Sequence, residues 1–290
     1  MTEIDFANHP ETDRIIQAGL LEDIGSGDHT TLSVIPPEVK GKMKCLIKSE
    51  GILAGLVFAE KVFHHLNPEI KFTPVLIDGQ WVTSGDIAFT VEGPVVNLLS
   101  GERLVLNAMQ RMSGIATSTA AAVEQLKGLS CKVLDTRKTT PLVRHLEKWA
   151  VVIGGGMNHR MGLYDMILIK DNHVDFAGGI PQAILAVEKY QQQHQLNLPI
   201  IIETRTLEEV LEVLAMGRVN RILLDNMNPD MMQECVHLVG GRYETEASGN
   251  ITLENIREKA QSGVNYVSLG FITHSYKSMD ISLKAEIYTD

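Results

Sequence analysis

The chain has 290 residues, of which 44% are hydrophobic and 21% are charged, and its formal net charge at pH 7 is -10. This composition predicts a globular protein with one large domain or two ordinary ones. The acidic balance argues against nucleic-acid binding, which requires a basic face. Three widely spaced cysteines argue against a disulfide framework or a structural zinc site and indicate a reducing compartment. The start is not signal-like and no apolar run approaches the ~20 residues of a membrane span, so we expect a cytoplasmic protein without membrane contact.

The N-terminal part of the chain predicts a mixed layer of helices and short strands. Apolar residues at helical spacing mark the first helix, and partial alternation of apolar and polar residues marks the first strand. In chain order we predict a helix over 10–24, a turn-rich stop over 25–31, a strand over 40–56 that turns at its glycines, a helix over 57–66, short strands over 70–95 and a long helix over 98–126.

From residue 131 onward, apolar strands alternate with helices. Continuous runs such as ILI, III and ILL are typical of parallel strands buried on both faces. Pro141 is placed as at a helix start, and Thr206 with Glu209 has the spacing of a capping box. The predicted strands are 131–136, 164–171, 199–204, 221–226, 242–248 and 266–270. The predicted helices are 141–153, 180–194, 206–217, 228–240 and 252–263, and the sequence leaves open whether the tail 275–290 packs on the first domain.

Each predicted strand meets polar residues at its C-terminal end. After any single strand, such residues are often only loop residues in contact with solvent. Six successive ends of this kind favour a β/α barrel, in which they converge on one face, over a doubly wound sheet, in which they spread along an edge. The ends carry Asp135–Lys138, Lys170–Asn172, Glu203–Arg205, Asp225–Asn226, Glu246 with Ser248–Asn250, and Gly270.

The span from Leu134 to His173 concentrates positive charge in an otherwise acidic chain, which indicates a pocket for a small polyanion. Its cations are Arg137, Lys138, Arg144, His145, Lys148, His159, Arg160, Lys170 and His173, of which Arg144, His145 and Lys148 are predicted to belong to the intervening helix. The glycines 154–156 lack the spacing of a phosphate-binding motif and are expected to let a loop pass close to a ligand. The loops 248–250 and 270–274 suit phosphate. Glu203 and Asp225 suit Mg²⁺ through water, or sugar hydroxyls. Together these features suggest a phosphorylated sugar and an anionic co-substrate.

Several motifs then resemble one family. DTRKTTP (135–141), GGGMNHR (154–160) and LIKDNH (168–173) occur in the order found in quinolinate phosphoribosyltransferases (decarboxylating), and the resemblance extends over nearly the whole chain. One departure is Leu142, where the family usually has glycine after TTP; we expect it to alter a helix start and leave the chemistry intact. Trp149, where the family often has tyrosine, is a conservative replacement.

The resemblance implies an α/β protein with two domains. These are an N-terminal α/β sandwich over 1–113 and an open α/β barrel of about six parallel strands over 114–290. It also implies a homodimer in which the first domain of one subunit closes the barrel mouth of the other, with Arg103 donated across the interface. Some members of the family assemble further to hexamers.

The reaction implied by the resemblance joins quinolinate to phosphoribosyl pyrophosphate and yields nicotinate mononucleotide, pyrophosphate and CO₂. Arginine suits the two carboxylates of quinolinate because its planar fork can grip a carboxylate with two hydrogen bonds. The residues assigned to quinolinate are Arg103, Arg137, His159, Arg160 and Lys170. Those assigned to donor phosphates are Ser248, Gly249, Asn250, Gly270 and His274. The catalytic set is Lys138, Lys170, Glu203 and Asp225, with Lys138 directed to the donor and its pyrophosphate and with Glu203 and Asp225 positioning ribose hydroxyls and Mg²⁺.

Two other functions remain open from the residues. One is a related phosphoribosyltransferase that acts on a different anionic acceptor, such as nicotinate or the acceptor of a molybdenum-linked paralogue. The other is a non-catalytic regulator that binds a phosphosugar on a barrel. An acceptor with two carboxylates accounts for several cations better than an acceptor with one. A non-catalytic regulator would not need residues that stabilise a leaving pyrophosphate. The set of cations and carboxylates therefore favours the quinolinate enzyme.

Overall fold

The computed structural model describes residues 4–286, which form two compact units. The first unit contains the chain up to Ala120, Thr139–Gly155 and the residues from Ile272 onward. The second unit contains Ala121–Lys138 and Gly156–Phe271. The compact units therefore interleave along the chain, and the predicted division after residue 113 stays a prediction.

Regular secondary structure covers most of residues 4–286. The strands are β1 (Lys40–Ile47), β2 (Gly51–Ile52), β3 (Lys71–Pro74), β4 (Trp81–Val82), β5 (Ile87–Pro94), β6 (Lys132–Leu134), β7 (Ile167–Ile169), β8 (Ile200–Thr204), β9 (Arg221–Asp225), β10 (Glu244–Ser248), β11 (Tyr266–Ser268) and β12 (Ile281–Glu286). The helices are α1 (Pro10–Ile24), α2 (His29–Val34), α3 (Leu56–Leu66), α4 (Val95–Gln125), α5 (Arg144–Ile153), α6 (Asp171–Ala177), α7 (Ile180–His194), α8 (Leu207–Met216), α9 (Pro229–Val239), α10 (Ile256–Gln261) and α11 (Phe271–His274).

The first unit is built on an antiparallel sheet with strand order β12-β1-β5-β3, beside a small β2-β4 pair. Met43, Cys45 and Ile47 are the buried positions of β1, so this strand alternates as the sequence predicts for a half-buried strand. β12 pairs with β1, which returns the end of the described chain to this sheet. Residues 287–290 of the predicted tail lie outside the described residues.

The second unit is a six-stranded parallel sheet with strand order β6-β11-β10-β9-β8-β7. The first and second strands in chain order, β6 and β7, are its two edges, and among the described residues no ladder joins them. This is the topology of an open barrel. All five residues of β8 are buried, as the run IIIET predicts for a strand covered on both faces. The predicted α/β fold, a sheet domain followed by an open barrel of about six parallel strands, is confirmed.

Most helix positions agree with the sequence pattern, and capping chemistry explains their starts. Thr206 accepts a hydrogen bond from the Glu209 backbone N–H at the start of α8, which confirms the N-cap of the predicted capping box, while the Glu209 carboxylate accepts from the Arg205 backbone N–H and not from that of Thr206. Asn228 caps α9 in the same way, with Pro229 in the first turn. No helix within residues 4–286 combines the length and apolarity needed to cross a bilayer.

Four helices differ from the predictions. The turn-rich stop over 25–31 contains the start of α2, because the Asp28 carboxylate accepts hydrogen bonds from the backbone and hydroxyl of Thr31 and caps a helix there. α6 and α11 were not predicted, since each is too short to show a periodic pattern. α5 begins at Arg144 and not at Pro141, because Leu142 has a φ of 70°, which an α-helix cannot accommodate.

Candidate active site

The polar ends of β8, β9 and β10 lie on one face of the parallel sheet. In parallel strands, residues in register share a face and alternate residues return to it. Glu203 is in register with Leu223, which is in register with Glu246, and two residues further along the strands Asp225 is in register with Ser248. Leu223 belongs to an apolar cluster with Met166 and Ile201, which lies beneath the polar residues. Three predicted site residues thus project from the same side at the carboxyl ends of neighbouring strands.

Glu203 is the central carboxylate of this face and is only 7% exposed. The Lys170 ammonium lies 3.4 Å from its Oε2, and the Asp171 backbone N–H lies 3.5 Å from its Oε1. Burial raises the pKa of Glu203; the charge of Lys170 opposes this rise, and the charge of Asp225 adds to it. The site therefore holds two carboxylates close enough to repel each other and one lysine that is half exposed.

The loops after β9 and β10 are tied together beside these carboxylates. The Asn226 backbone N–H donates to the Ser248 carbonyl, and the Asn250 side chain donates to the Asn226 amide oxygen at 3.0 Å. A Cβ on Gly249 would come within 2.2 Å of that oxygen, and the φ of Gly249 is 89°, so only glycine fits. The predicted phosphate loop 248–250 is therefore held in one conformation by its neighbour.

A buried aspartate organises part of the cationic span from Leu134 to His173. Asp135, at the end of β6, accepts hydrogen bonds from the Asn158 side chain at 2.7 Å and from the His159 backbone N–H at 2.8 Å. The same loop places Arg160 in a buried position, with its guanidinium donating to the Met166 carbonyl at 3.2 Å. Burial lowers the pKa of Arg160, and the nearby charge of Arg137 lowers it further. The structure thus brings two predicted quinolinate-binding arginines close to each other.

The remaining predicted residues are placed as follows. Arg137 and Lys138 are exposed on the loop after β6, and Gly270 is half-buried after β11, whose end is joined to β6 by the Leu269 N–H and the Leu134 carbonyl. Arg103, on α4, and His274, at the end of α11, are exposed and belong to the first unit. The roles of all these residues stay proposals.

Gly154, the first glycine of the run, lies against α4, where a Cβ would come within 2.4 Å of the Ala116 carbonyl oxygen. This glycine therefore permits a close approach to a helix backbone of the first unit. The predicted passage of the run close to a ligand stays a prediction. Arg144, His145 and Lys148 lie in α5, as predicted.

Sequence reasoning left two buried carboxylates out of the site. Asp135 was treated only as a polar strand end, although it anchors the 158–160 loop. Glu246 is fully buried and contacts both His159 and Arg221. Strand alternation could have found it, because Glu246 lies two residues before Ser248 and shares its face.

A metal ion can be considered against the same residues. Within residues 4–286 no group of three or more His, Cys, Asp or Glu side chains is arranged to hold one. Mg²⁺, however, commonly uses only one or two carboxylates together with water and substrate phosphate. Burial is the main cause of the raised pKa of Glu203 and the charge of Asp225 adds to it, so a cation between the two carboxylates would offset their repulsion. The pair therefore fits Mg²⁺ of this kind.

The fold and this site define an enzyme of the α/β-barrel type that binds an anionic, phosphorylated ligand at the carboxyl ends of its strands. Residues 115–284 match the family described as quinolinate phosphoribosyl transferase, C-terminal domain, and residues 28–113 match the corresponding N-terminal domain. The chain belongs to the quinolinate phosphoribosyltransferase family.

Individual relatives agree with the family match. The chain is 45% identical over 296 residues to the chloroplastic nicotinate-nucleotide pyrophosphorylase [carboxylating] of Arabidopsis thaliana, covering 96% of this chain and 84% of that protein. It is 44% identical to a probable nicotinate-nucleotide pyrophosphorylase [carboxylating] of Bacillus subtilis, covering 95% and 94% respectively. The crystal structure of NadC from Streptococcus pyogenes superposes with a TM-score of 0.90 at 37% identity over the whole of both chains.

Proposed function

We propose that this chain transfers a phosphoribosyl group from phosphoribosyl pyrophosphate to quinolinate and removes one carboxylate, a step of NAD biosynthesis. The products are nicotinate mononucleotide, pyrophosphate and CO₂. The observation that supports the proposal is the buried Arg160, whose pKa is lowered by the charge of Arg137, in the same unit as the ion pair of Lys170 and Glu203. Two guanidinium groups held close together are favoured only when an anion binds them, and quinolinate brings two carboxylates.

The acceptor would be bound by the cationic side of the site. Arg137, Arg160 and Lys170 would neutralise the two carboxylates, and the planar guanidinium forks would orient the pyridine ring. Arg160 is the more constrained arginine, because it is buried and bonded to the Met166 carbonyl. This constraint fixes the position of its charge before the acceptor arrives, which reduces the entropic cost of binding.

The donor would be bound by the carboxylate side and the adjoining loop. Glu203 and Asp225 would accept hydrogen bonds from the ribose hydroxyls and hold Mg²⁺, which supplies positive charge to the pyrophosphate when it is bound. Ser248, Gly249 and Asn250 would bind phosphate oxygens of the donor, and Lys138 would reach the pyrophosphate from its exposed loop. Gly270 and His274 complete the proposed phosphate set.

The chemistry then needs orientation and charge stabilisation, with no protein base. The ring nitrogen is already a nucleophile; its lone pair forms the bond to the anomeric carbon as the bond to pyrophosphate breaks. Glu203 and Asp225 stabilise the positive charge that develops on the ribosyl ring. The carboxylate next to the nitrogen leaves as CO₂, its bonding electrons pass to the pyridinium ring, and a proton from solvent takes its place on carbon.

The proposal is tested by comparing acceptors with the purified chain. Pyrophosphate and CO₂ release are measured with phosphoribosyl pyrophosphate, Mg²⁺ and either quinolinate or nicotinate. We expect both products with quinolinate, in equal amounts, and neither with nicotinate. Pyrophosphate without CO₂ from nicotinate would identify a different phosphoribosyltransferase, and the absence of pyrophosphate with either acceptor would leave a binding protein.

The proposal extends to how the subunits assemble. We propose a homodimer, with a hexamer as a further assembly, in which Arg103 serves the barrel of the other subunit; Arg103 is exposed on α4. Mixing the impaired variants Arg103→Ala and Lys170→Ala should raise activity above that of either variant alone, because one site of each mixed dimer then has both residues. Failure of the mixture to recover activity under conditions of subunit exchange would mean that Arg103 acts within its own subunit.

A cytoplasmic location also remains part of the proposal. The three cysteines Cys45, Cys131 and Cys235 are free and buried, which agrees with a reducing compartment. Fractionation of the source cells with antibody detection tests this location, and recovery in an organelle or membrane fraction would contradict it.

A further inference from the structure

Glu246 is a buried carboxylate that the proposed reaction does not use. It lies in the middle of β10, is 1% exposed, and shares its face with the predicted site residue Ser248. Register places it in one row with Glu203 and Leu223, inside the parallel sheet. A charged group at such a depth is costly and is retained only where partners compensate it.

The partners of Glu246 lie on two sides. Its Oε2 accepts a hydrogen bond from the Arg221 guanidinium at 2.8 Å and lies 3.5 Å from Nε2 of His159. Burial raises the pKa of Glu246, but the hydrogen bonds from His159 and Arg221 and the charge of Arg221 outweigh burial, so the pKa is lowered and the group remains a carboxylate. Its other oxygen, Oε1, is buried with no hydrogen-bond partner among residues 4–286.

Arg221 does not depend on Glu246 alone. It also donates to the Glu244 carboxylate at 3.0 and 3.2 Å, and its guanidinium lies 4.0 Å from the centre of the Tyr266 ring. Stabilising Arg221 does not by itself explain Glu246, because burying a carboxylate oxygen without a hydrogen-bond partner costs free energy. The contact that only Glu246 supplies among these groups is the one with His159.

His159 transmits that contact to the cationic loop. Its Nδ1 accepts a hydrogen bond from the Arg160 backbone N–H at 2.7 Å, so Nδ1 carries no proton in this arrangement. The ring proton is then on Nε2, the nitrogen that faces Glu246. Both ring nitrogens are thus engaged within the second unit, and the imidazole connects the Glu246 carboxylate to the Arg160 peptide.

We propose that Glu246 is a positioning residue that acts through His159 to hold Arg160 in the orientation that binds the anionic acceptor. The contacts run from Arg221 through Glu246 and His159 to the backbone of Arg160. The charge of Arg137 acts on the Arg160 guanidinium. This proposal rests on the proposed function for the identity of the acceptor, quinolinate. It assigns to His159 a role in the protein scaffold in place of direct contact with quinolinate.

The test uses Glu246→Gln and Glu246→Ala, with Glu244→Gln as the matched control. Glu244 binds the same arginine, and its side chain is 48% exposed. In Glu246→Gln the amide oxygen can still accept a hydrogen bond from Nε2, whereas alanine cannot. We expect Glu246→Ala to raise KM for quinolinate about tenfold, the scale for losing a residue that orients a ligand-binding group.

The expected pattern separates positioning from loss of structure. KM for phosphoribosyl pyrophosphate should stay within about twofold in every variant, Glu246→Gln should recover most of the quinolinate affinity, and Glu244→Gln should match the parent. Nitrogen NMR of labelled histidine, assigned with His159→Gln, should show the Nε2-protonated tautomer in the parent and a mixture of tautomers in Glu246→Ala. The NMR result does not require turnover, so it tests the connection even if the acceptor is not quinolinate.

Two results would overturn the proposal. One is an unchanged quinolinate KM in folded Glu246→Ala. The other is an equal rise for both substrates in the Glu246 variants and in Glu244→Gln, which would mean that the carboxylates serve only to stabilise the barrel. If the parent fails to consume quinolinate while its His159 tautomer depends on Glu246, the proposed function fails and the positioning role stands.

Discussion

Glu147 in the first unit and Glu203 in the second are both buried carboxylates paired with a cation, yet they are held differently. Glu147 on α5 accepts hydrogen bonds from two guanidinium nitrogens of Arg111, one of them at 2.8 Å, and from the Thr140 backbone N–H at 3.1 Å. Arg111 also contacts the Thr140 hydroxyl and lies over the Tyr276 ring. This carboxylate has a nearly complete set of donors.

Glu203 has a looser set. The two groups nearest its oxygens are at 3.4 and 3.5 Å, and the Lys170 side chain is 49% exposed. Burial raises the pKa of Glu203, and Asp225 raises it further. A buried carboxylate with few close donors and a perturbed pKa is typical of a ligand site, whereas a fully bonded pair is typical of a structural contact. Glu147 is therefore expected to stabilise the fold, whereas Glu203 is proposed to bind substrate.

The largest expected effect is on the free energy of unfolding, at the pair of Arg111 and Glu147. Arg111→Ala leaves Glu147 buried with only the Thr140 N–H, and we expect the free energy of unfolding to fall by about 3 kcal/mol. Urea denaturation measures it. Arg14→Ala removes the exposed pair with Glu11 and is the control, with only a small expected change. Equal losses in the two variants would remove the distinction between the pairs.

At the pair of Lys170 and Glu203, a substitution should lower catalytic activity. Lys170→Ala removes a cation assigned to the quinolinate carboxylates, and we expect kcat/KM for quinolinate to fall about 30-fold, or about 2 kcal/mol. Its unfolding midpoint should change little, because Lys170 is half exposed. Lys189→Ala, at an exposed position on α7, is the control for loss of a lysine. A stability loss in Lys170→Ala as large as that in Arg111→Ala would contradict the comparison.

A smaller effect on the free energy of unfolding is expected at Leu142, which lies shortly before Glu147 in the sequence. Its φ of 70° is disfavoured for a leucine, and its side chain is 77% exposed and so contributes little packing. Leu142→Gly should therefore stabilise the protein by about 1 kcal/mol, with unchanged activity. Leu142→Ala keeps the backbone strain and serves as control. Identical unfolding curves for the two variants would show that strain at this position is negligible.

The smallest effect is a pH-dependent gain of stability at Glu203. Because its folded pKa is raised above the ordinary 4.5, Glu203 contributes stability below pH 4.5 that is lost as pH rises through the folded pKa. Glu203→Gln avoids that loss. Its melting temperature should exceed the parent's near pH 7, with a gap that shrinks toward pH 4.5, while activity is lost. A gap that does not vary with pH would contradict the raised pKa.

These two regions also differ in how far the sequence could predict them. Strand periodicity and the polar strand ends placed Glu203, Asp225 and Ser248 on one end of a barrel, because register follows from alternation. The Arg111–Glu147 contact joins residues 36 positions apart on two helices, and nothing in local periodicity indicates it. Leu142 was recognised as a departure from the family, but its positive φ depends on the turn that the surrounding structure imposes. Glu246 was visible in the sequence, and its role requires knowledge of what lies across the barrel.

The most direct test of the account follows each carboxylate of quinolinate separately. Quinolinate labelled in the carboxylate next to the ring nitrogen, or in the other carboxylate, is incubated with the chain, phosphoribosyl pyrophosphate and Mg²⁺. We expect the first label to leave as CO₂, one molecule for each pyrophosphate released, and the second to stay in the mononucleotide. Release of the second label, or a mononucleotide that retains both, would contradict it.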